Sequence, residues 1–370
     1  MLTQSEKLNT LPRFNYVPSL DGIRGIAVLL VLSFHGSYGY FPGGWIGVDL
    51  FFVLSGYLIT SLLQNEYLTS GRISLANFYI RRILRLFPPL VIFILLANVL
   101  WPFLHVTHDA NRLISALASL FYFANLIPND VLGPFMHLWS LSVEEHFYVF
   151  WPIITSAYLF KISFKNQLVV LASTIILLAI VRVSIYNSSL LADPLAVAYR
   201  FTLCRIDAIL LGALFALVEQ HKKIRVWGNK NYLMYIGLPI CFFAIVEYVS
   251  LSNKYWYSGG FIITNTLCLL AVIFAVRNPT NLFLANKAFR WIGRRSYGIY
   301  VYHMPIFLAF EGLRTPHSLV NLALVTLFRV SATLIIAELS FRFIEQPILK
   351  YKSHYKNEPK TAINTVIFSD

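Results

Sequence analysis

Apolar runs recur along this chain between short stretches rich in lysine and arginine. Each run has about the 17–25 residues needed to cross a hydrocarbon core of roughly 30 Å. The pattern predicts spans near 21–39, 46–64, 79–101, 143–160, 167–186, 202–219, 232–250, 260–276, 297–311 and 320–344. Segment 112–127 is apolar but short, and reads as a re-entrant or interfacial helix. Segment 65–85 reads as an amphipathic surface helix that leads into the third span. The expected fold is all-α, a polytopic membrane bundle of about ten helices.

Charge sets the orientation. With the N-terminus inside and ten spans, only Arg112, Arg200, Lys254 and Arg314 fall on the outer side. Counting 112–127 as a full span would invert every later loop and destroy this bias, against the positive-inside rule. Both termini are therefore expected in the cytoplasm. Hydrophobic residues make up 57% of the 370 and charged ones 13%, with a mean hydropathy of +0.65. The net charge of +13 follows from topology and does not call for nucleic acid. The polar first 19 residues lack a cleavage site, so the first span is expected to be an uncleaved anchor. Cys204, Cys241 and Cys268 have no metal-ligand spacing and read as core thiols; no metal is expected.

The chemistry concentrates early. Arg24 and His35 lie eleven positions apart in LDGIRGIAVLLVLSFH, three helical turns plus about 20°, so they share a face roughly 16 Å long. That is about the reach of a pantetheine arm. Arg24 alone reads as a topology anchor or a phosphate ligand, and His35 as a packing residue or a general base. A turn with Gly43, Gly44 and Gly47 leads to Asp49, which opens the second span. The hairpin is expected to bring Asp49 to the depth of His35, where a carboxylate orients an imidazole. An unpaired aspartate there would cost roughly 2.5–3.5 kcal/mol.

Arg81, Arg82 and Arg85 read as positive-inside charge or as a clamp for a nucleotide diphosphate. Glu144 and Glu145 follow HLWSLSV: one explanation is favourable charge in a first helical turn, the other a sugar-binding edge with Trp139, His137 and Tyr148. Arg205 and Asp207 face different ways and are expected to bond neighbouring spans. Arg342 and Glu345 are spaced to pair with each other. Arg182, Arg329 and Glu338 have no obvious partner, and His303, just before Pro305, reads as packing or as function.

LDGIRGIAVLLVLSFH, GGWIGVDLFFVLSGYLIT, GRISLANFYIRRILRLFPP, HLWSLSVEEHFY, RIDAILLGA, IGRRSYGIYVYHMP and FRFIEQP occur in this order. Together, from about Leu20 to Pro347, they resemble the membrane acyltransferase-3 family of bacterial O-acyltransferases. The resemblance implies a bundle of about ten spans with both termini cytoplasmic. It implies transfer of an acyl group, usually acetyl from cytoplasmic acetyl-CoA, onto hydroxyls of glycans, glycolipids or related acceptors such as lipopolysaccharide, peptidoglycan and other polysaccharides. It maps the family's arginine and histidine to Arg24 and His35, its glycine turn and aspartate to Gly43, Gly44, Gly47 and Asp49, its basic motif to Arg82 and Arg85 beside Arg81, and its acidic motif to Glu144 and Glu145. The family commonly has glutamine where this chain has His146. No fused esterase-like domain is expected in these residues.

The resulting expectation is a cytoplasmic segment 1–19, a transmembrane acyltransferase domain 20–347 and a cytoplasmic basic tail 348–370, in a bacterial inner membrane. Arg24, Arg81, Arg82 and Arg85 are expected to hold acyl-CoA, and Glu144, Trp139 and Tyr148 the acceptor. His35, Asp49 and Glu145 are expected to carry the chemistry. A transporter or flippase for a glycan is the alternative, since ionisable groups within spans also mark transport paths. Against it, no internal repeat is apparent. A second alternative is the other membrane O-acyltransferase family, in which the late histidine, His303, would matter and His35 would not.

Overall fold

The computed structural model describes residues 16–37, 39–104, 109–221, 232–313 and 318–351. Among them there are helices and turns and no β-strand. The main helices are α1 (Pro18–Gly36), α2 (Ile46–Ser70), α3 (Leu75–Leu100), α4 (Arg112–Leu120), α5 (Trp139–Ala157) and α6 (Phe164–Tyr186). They continue with α7 (Pro194–Arg200), α8 (Thr202–Gln220), α9 (Tyr232–Tyr248), α10 (Phe261–Arg277), α11 (Lys287–Ala309) and α12 (Leu319–Ser340). Most of the cytoplasmic N-terminal segment and basic tail expected from the sequence lie outside the described residues, as do Lys222, Lys223, Arg225, Lys230 and Arg314 of the charge count.

Local chemistry explains where these helices begin and end. Pro18 sits in the first turn of α1, where its missing N–H costs nothing. Asp193 caps α7 by accepting from the Ala196 N–H at 2.9 Å, and Asn286 caps α11 through Ala288 at 2.8 Å. Gly71 stops α2 in the left-handed region, with φ of 71°.

Among the described residues seven helices are long and apolar enough to cross a membrane: α1, α2, α3 with its continuation to Phe103, α6, the α7–α8 stretch, α10 with the turn before it, and α12 with its continuation to Tyr351. The other three expected spans coincide with α5, α9 and α11. α9 is apolar but short. Glu144, Glu145 and His146 dilute α5, and four basic residues dilute the first half of α11. Segment 112–127 contains a helix of nine residues, α4, too short to cross. Its Leu113, Ile114 and Leu117 are exposed while Ser115, Ala118 and Ser119 face inward, the pattern of a helix whose apolar side meets lipid.

Glycines draw the central helices together. A Cβ at Gly56 of α2 would strike the Ile209 carbonyl of α8, and one at Gly212 of α8 would strike Val53 of α2. Gly22, Gly25 and Gly293 do the same between α1 and the chain around α11. In the α1–α2 turn, Gly44 and Gly47 lie against the Leu30 and Ala27 carbonyls of α1. The glycine-rich turn is therefore a packing device that closes the hairpin.

Candidate active site

Helices α1, α2, α3, α5 and α11 enclose a cavity of about 210 Å³. Arg24 of α1 and Arg82 and Arg85 of α3 line it together; the two α3 arginines share a face because they are three residues apart. Opposite them Glu144 and Tyr148 project from successive turns of α5. Ser55 of α2 joins this pair: its hydroxyl donates to Glu144 Oε1 at 2.8 Å and accepts from the Tyr148 hydroxyl at 2.9 Å. The Arg82 guanidinium stacks over the Tyr148 ring, 4.6 Å from its centroid. Among the described residues none of the three arginines has a carboxylate at ion-pair distance. Within the lining three guanidinium groups face one glutamate, a local surplus of positive charge, while Glu145 and Glu345 stand outside it within electrostatic range of Arg82 and of Arg85 and Arg24. Unpaired charges of one sign away from bulk water favour an anionic occupant.

Tyr300 of α11 and Ser140 of α5 also line the cavity. The Tyr300 hydroxyl donates to the His137 carbonyl at 2.7 Å and shares a 2.6 Å hydrogen bond with Ser140. Its ring lies 5.5 Å from both His137 and His303. Beyond it stands His35, whose ring centroid is 5.0 Å from that of His303. His35 is partly exposed, while His303 and His137 are 0% and 2% exposed. The His35 Nδ1 faces the Val31 carbonyl at 3.0 Å. A carbonyl only accepts, so the neutral ring carries its proton on Nδ1 and leaves the Nε2 lone pair free. Arg24 is thus in the cavity lining with Tyr300, while His35 is outside it and reaches Tyr300 only by way of His303.

A family model described as "Acyltransferase domain" matches residues 17–339. The chain belongs to the acyltransferase-3 family. It is 34% identical over 356 residues to the peptidoglycan O-acetyltransferase OatA of Listeria monocytogenes, covering 90% of this chain and 56% of that protein. It is 33% identical to the putative peptidoglycan O-acetyltransferase YrhL of Bacillus subtilis, covering 90% of this chain and 55% of that protein. A putative O-acetyltransferase of Staphylococcus aureus, SACOL0978, is 32% identical over 91% of this chain and 58% of its own length. The chain therefore spans little more than half the length of these curated relatives. No solved structure matches.

Several residues of this acyltransferase-3 chain stand elsewhere than the sequence led us to expect. Asp49 does not meet His35. Its carboxylate is 0% exposed, ion-paired with Arg205 of α8 and hydrogen-bonded at 3.3 Å by Thr264 of α10. The polar requirement of a buried aspartate is met across the bundle, and Val31 holds the histidine instead. Trp139 faces the same ion pair: Phe261, Tyr199, Trp139 and Phe52 surround the Arg205 guanidinium at 4.3, 5.0, 5.7 and 5.8 Å. Arg81 is outside the cavity lining and pairs with Glu66 at 3.5 Å.

Glu145, one step of 100° round α5 from Glu144, lines a second, apolar groove of about 940 Å³ bounded by α3, α5, α6 and α8. Its Oε1 is buried without a hydrogen-bond partner. His146, also at that groove, is tied by Nδ1 to the Thr202 hydroxyl at 2.7 Å. Arg342 pairs with Glu338 rather than Glu345, and Glu345 accepts from Ser340 at 3.4 Å. Glu338 also holds Arg295, and Arg329 pairs with Glu311 at 2.9 Å. Sequence reasoning missed Ser55 and Tyr300. Their signal was slight: a hydroxyl within FFVLSGYLIT and a tyrosine three residues before His303. Among the described residues no cluster of ligands suits a metal ion.

Proposed function

We propose that this protein is a multi-pass membrane O-acetyltransferase that moves acetyl from acetyl-CoA to a hydroxyl of a cell-surface carbohydrate. The observation that carries the reading is the cavity in which Arg24, Arg82 and Arg85 meet, none of them with a carboxylate at ion-pair distance among the described residues, together with a partly exposed histidine on the helix that bears Arg24. Family membership and O-acetyltransferase relatives support the reaction class. The charge bias of the loops supports a cytoplasmic location for both termini and for the inner mouth of the cavity. In this reading residues 20–347 are the catalytic unit, residues 348–370 a cytoplasmic tail, and a bacterial inner membrane the setting.

The donor's anionic portion lies against the three arginines. A volume of about 210 Å³ takes the diphosphate and the start of the slender pantetheine arm, with the bulky adenosine end outside. The thioester reaches the histidine side when the Tyr300 ring turns away. His35 Nε2 removes the acceptor hydroxyl proton as the oxygen attacks the thioester carbonyl, the C–S bond breaks, and the proton passes to the departing sulfur. The Val31 carbonyl keeps the tautomer that leaves Nε2 free. Glu144 and Tyr148 position the reactants through Ser55, and Glu145 sits on the groove side of the same helix as a contact for the acceptor.

The test is release of free CoA thiol by the purified protein in proteoliposomes. Thiol should appear only when acetyl-CoA and a glycan acceptor are both present, together with an acetylated product. Movement of glycan across the bilayer with no thiol release would make the protein a transporter instead.

A further inference from the structure

The three imidazoles at the junction of α1, α11 and the turn before α5 have one property in common. Each places a ring nitrogen on a backbone carbonyl: His35 Nδ1 on Val31 at 3.0 Å, His303 Nδ1 on Tyr300 at 2.6 Å, and His137 Nε2 on Val301 at 3.0 Å. Carbonyls only accept, so each neutral ring spends its single N–H there. The lone pairs are left on His35 Nε2, His303 Nε2 and His137 Nδ1. The latter two are buried and without a hydrogen-bond partner. A buried acceptor left without a donor is costly, and two in adjacent rings call for a reason.

The reaction supplies one. Base catalysis makes His35 an imidazolium, a costly species in a poorly solvated site unless something accepts its new N–H. The carboxylate expected for that task is held by Arg205, and among the described residues no carboxylate is hydrogen-bonded to any of the three rings. What faces His35 is His303, at 5.0 Å between ring centroids, backed by His137 at 4.9 Å. At these separations ring nitrogens are within range of one bridging water or a small rotation.

We infer that His303, backed by His137, is a positioning residue for His35, accepting a hydrogen bond from the proton that His35 takes from the acceptor. The inference rests on the acyl-transfer reading. The acceptor O–H bond breaks and the His35 Nε2–H bond forms. That hydrogen is shared with the His303 Nε2 lone pair while the new ester bond forms and the C–S bond breaks. It then returns through His35 to the sulfur, so that ester and CoA thiol leave and all three rings are neutral again.

The experiment has two arms. In the first, His303→Gln and His303→Phe are compared with wild type for kcat and for the acetyl-CoA KM. His303→Phe should lower kcat by about 10–100-fold with the donor KM within about twofold, and His303→Gln, which restores an acceptor oxygen, should recover part of the loss. In the second, the pH dependence of single-turnover transfer by wild type and both variants gives the pH below which His35 is protonated and transfer is lost. Without an acceptor for the His35 N–H the imidazolium is less stable, so that acid limb should move to lower pH in His303→Phe and return part of the way in His303→Gln. Full kcat in both variants, or an acid limb unmoved in His303→Phe, overturns the inference. His303→Leu replaces His303→Phe if the larger ring prevents folding. Retained transfer by His35→Gln would remove His35 as the base and the inference with it, and absence of thiol release by wild type would sink the acyl-transfer reading, whereas a dead His35→Gln beside fully active His303 variants would sink the sharing only.

Discussion

Two sets of ionisable side chains lie inside this bundle, and they are built on opposite plans. Between α2, α6, α8 and α10, Asp49 pairs with Arg205 and Asp207 with Arg182 at 2.7 Å, Arg182 also donates to the Cys204 carbonyl, and Thr264 and Asn265 fill in. Between α1, α3, α5 and α11, three arginines share a cavity with one glutamate and, among the described residues, have no carboxylate at ion-pair distance. Like residue types within one bundle therefore do different work. In the first set each charge has an opposite charge as its partner and fastens helices, although Arg205 Nη1 and Asp207 Oδ1 keep no hydrogen bond. In the second they are left unsatisfied around open space, which suits them to a ligand.

The sharpest way to break that comparison is to remove the base. His35→Gln should lower transfer by about 10²–10⁴-fold in proteoliposomes while leaving thermal unfolding in detergent unchanged. Next in size is the closed set. Arg205→Ala leaves Asp49 buried and unpaired and should cost about 3–5 kcal/mol, read as a large fall in unfolding temperature, whereas a double apolar replacement, Asp49→Leu with Arg205→Met, should regain most of it. Equal damage from the double change would mean that the pair does more than balance charge.

In the open set the sign should reverse. Arg85→Gln should raise the acetyl-CoA Kd by about tenfold, worth roughly 1.4 kcal/mol, and leave thermal stability equal or higher because like charges are thinned. Calorimetry and a melting curve on one preparation read both. The smallest effect is expected for Arg81→Gln: with Glu66 as its partner at 3.5 Å, its loss should change donor affinity by less than about twofold and stability by less than about 1 kcal/mol. A tenfold weakening there would return Arg81 to the donor site.

The sequence made the helices legible because a span is a local property: twenty apolar residues announce themselves. It also made Arg24, Arg82 and Arg85 legible as one donor site, through helix spacing and family resemblance, but it set Glu144 and Tyr148 apart with the acceptor, whereas they line the same cavity as the arginines. Pairing across helices was not legible. Asp49 and Arg205 are 156 positions apart, and no local pattern distinguishes Arg205 from His35 as the nearer neighbour of that carboxylate. Trp139 was misread for a related reason: its neighbours Glu144 and Glu145 turn to two different spaces while it turns to a third. α5 and α11 were legible as spans only with the neighbouring charge pattern, since the residues that line the site also weaken their hydropathy.

The backbone contacts made by Gly22, Gly25 and Gly293 weld α1 to α11, so the two rods that bear His35 and His303 form a stiff strut with no slack between them. On the opposite wall α3 and α5 meet sparsely, on either side of the apolar groove, with Arg82 and Tyr148 belonging to both spaces. Breathing during turnover falls to that wall. A crosslink between α3 and α5 should therefore stall the cycle, while one between α1 and α11 should go unnoticed.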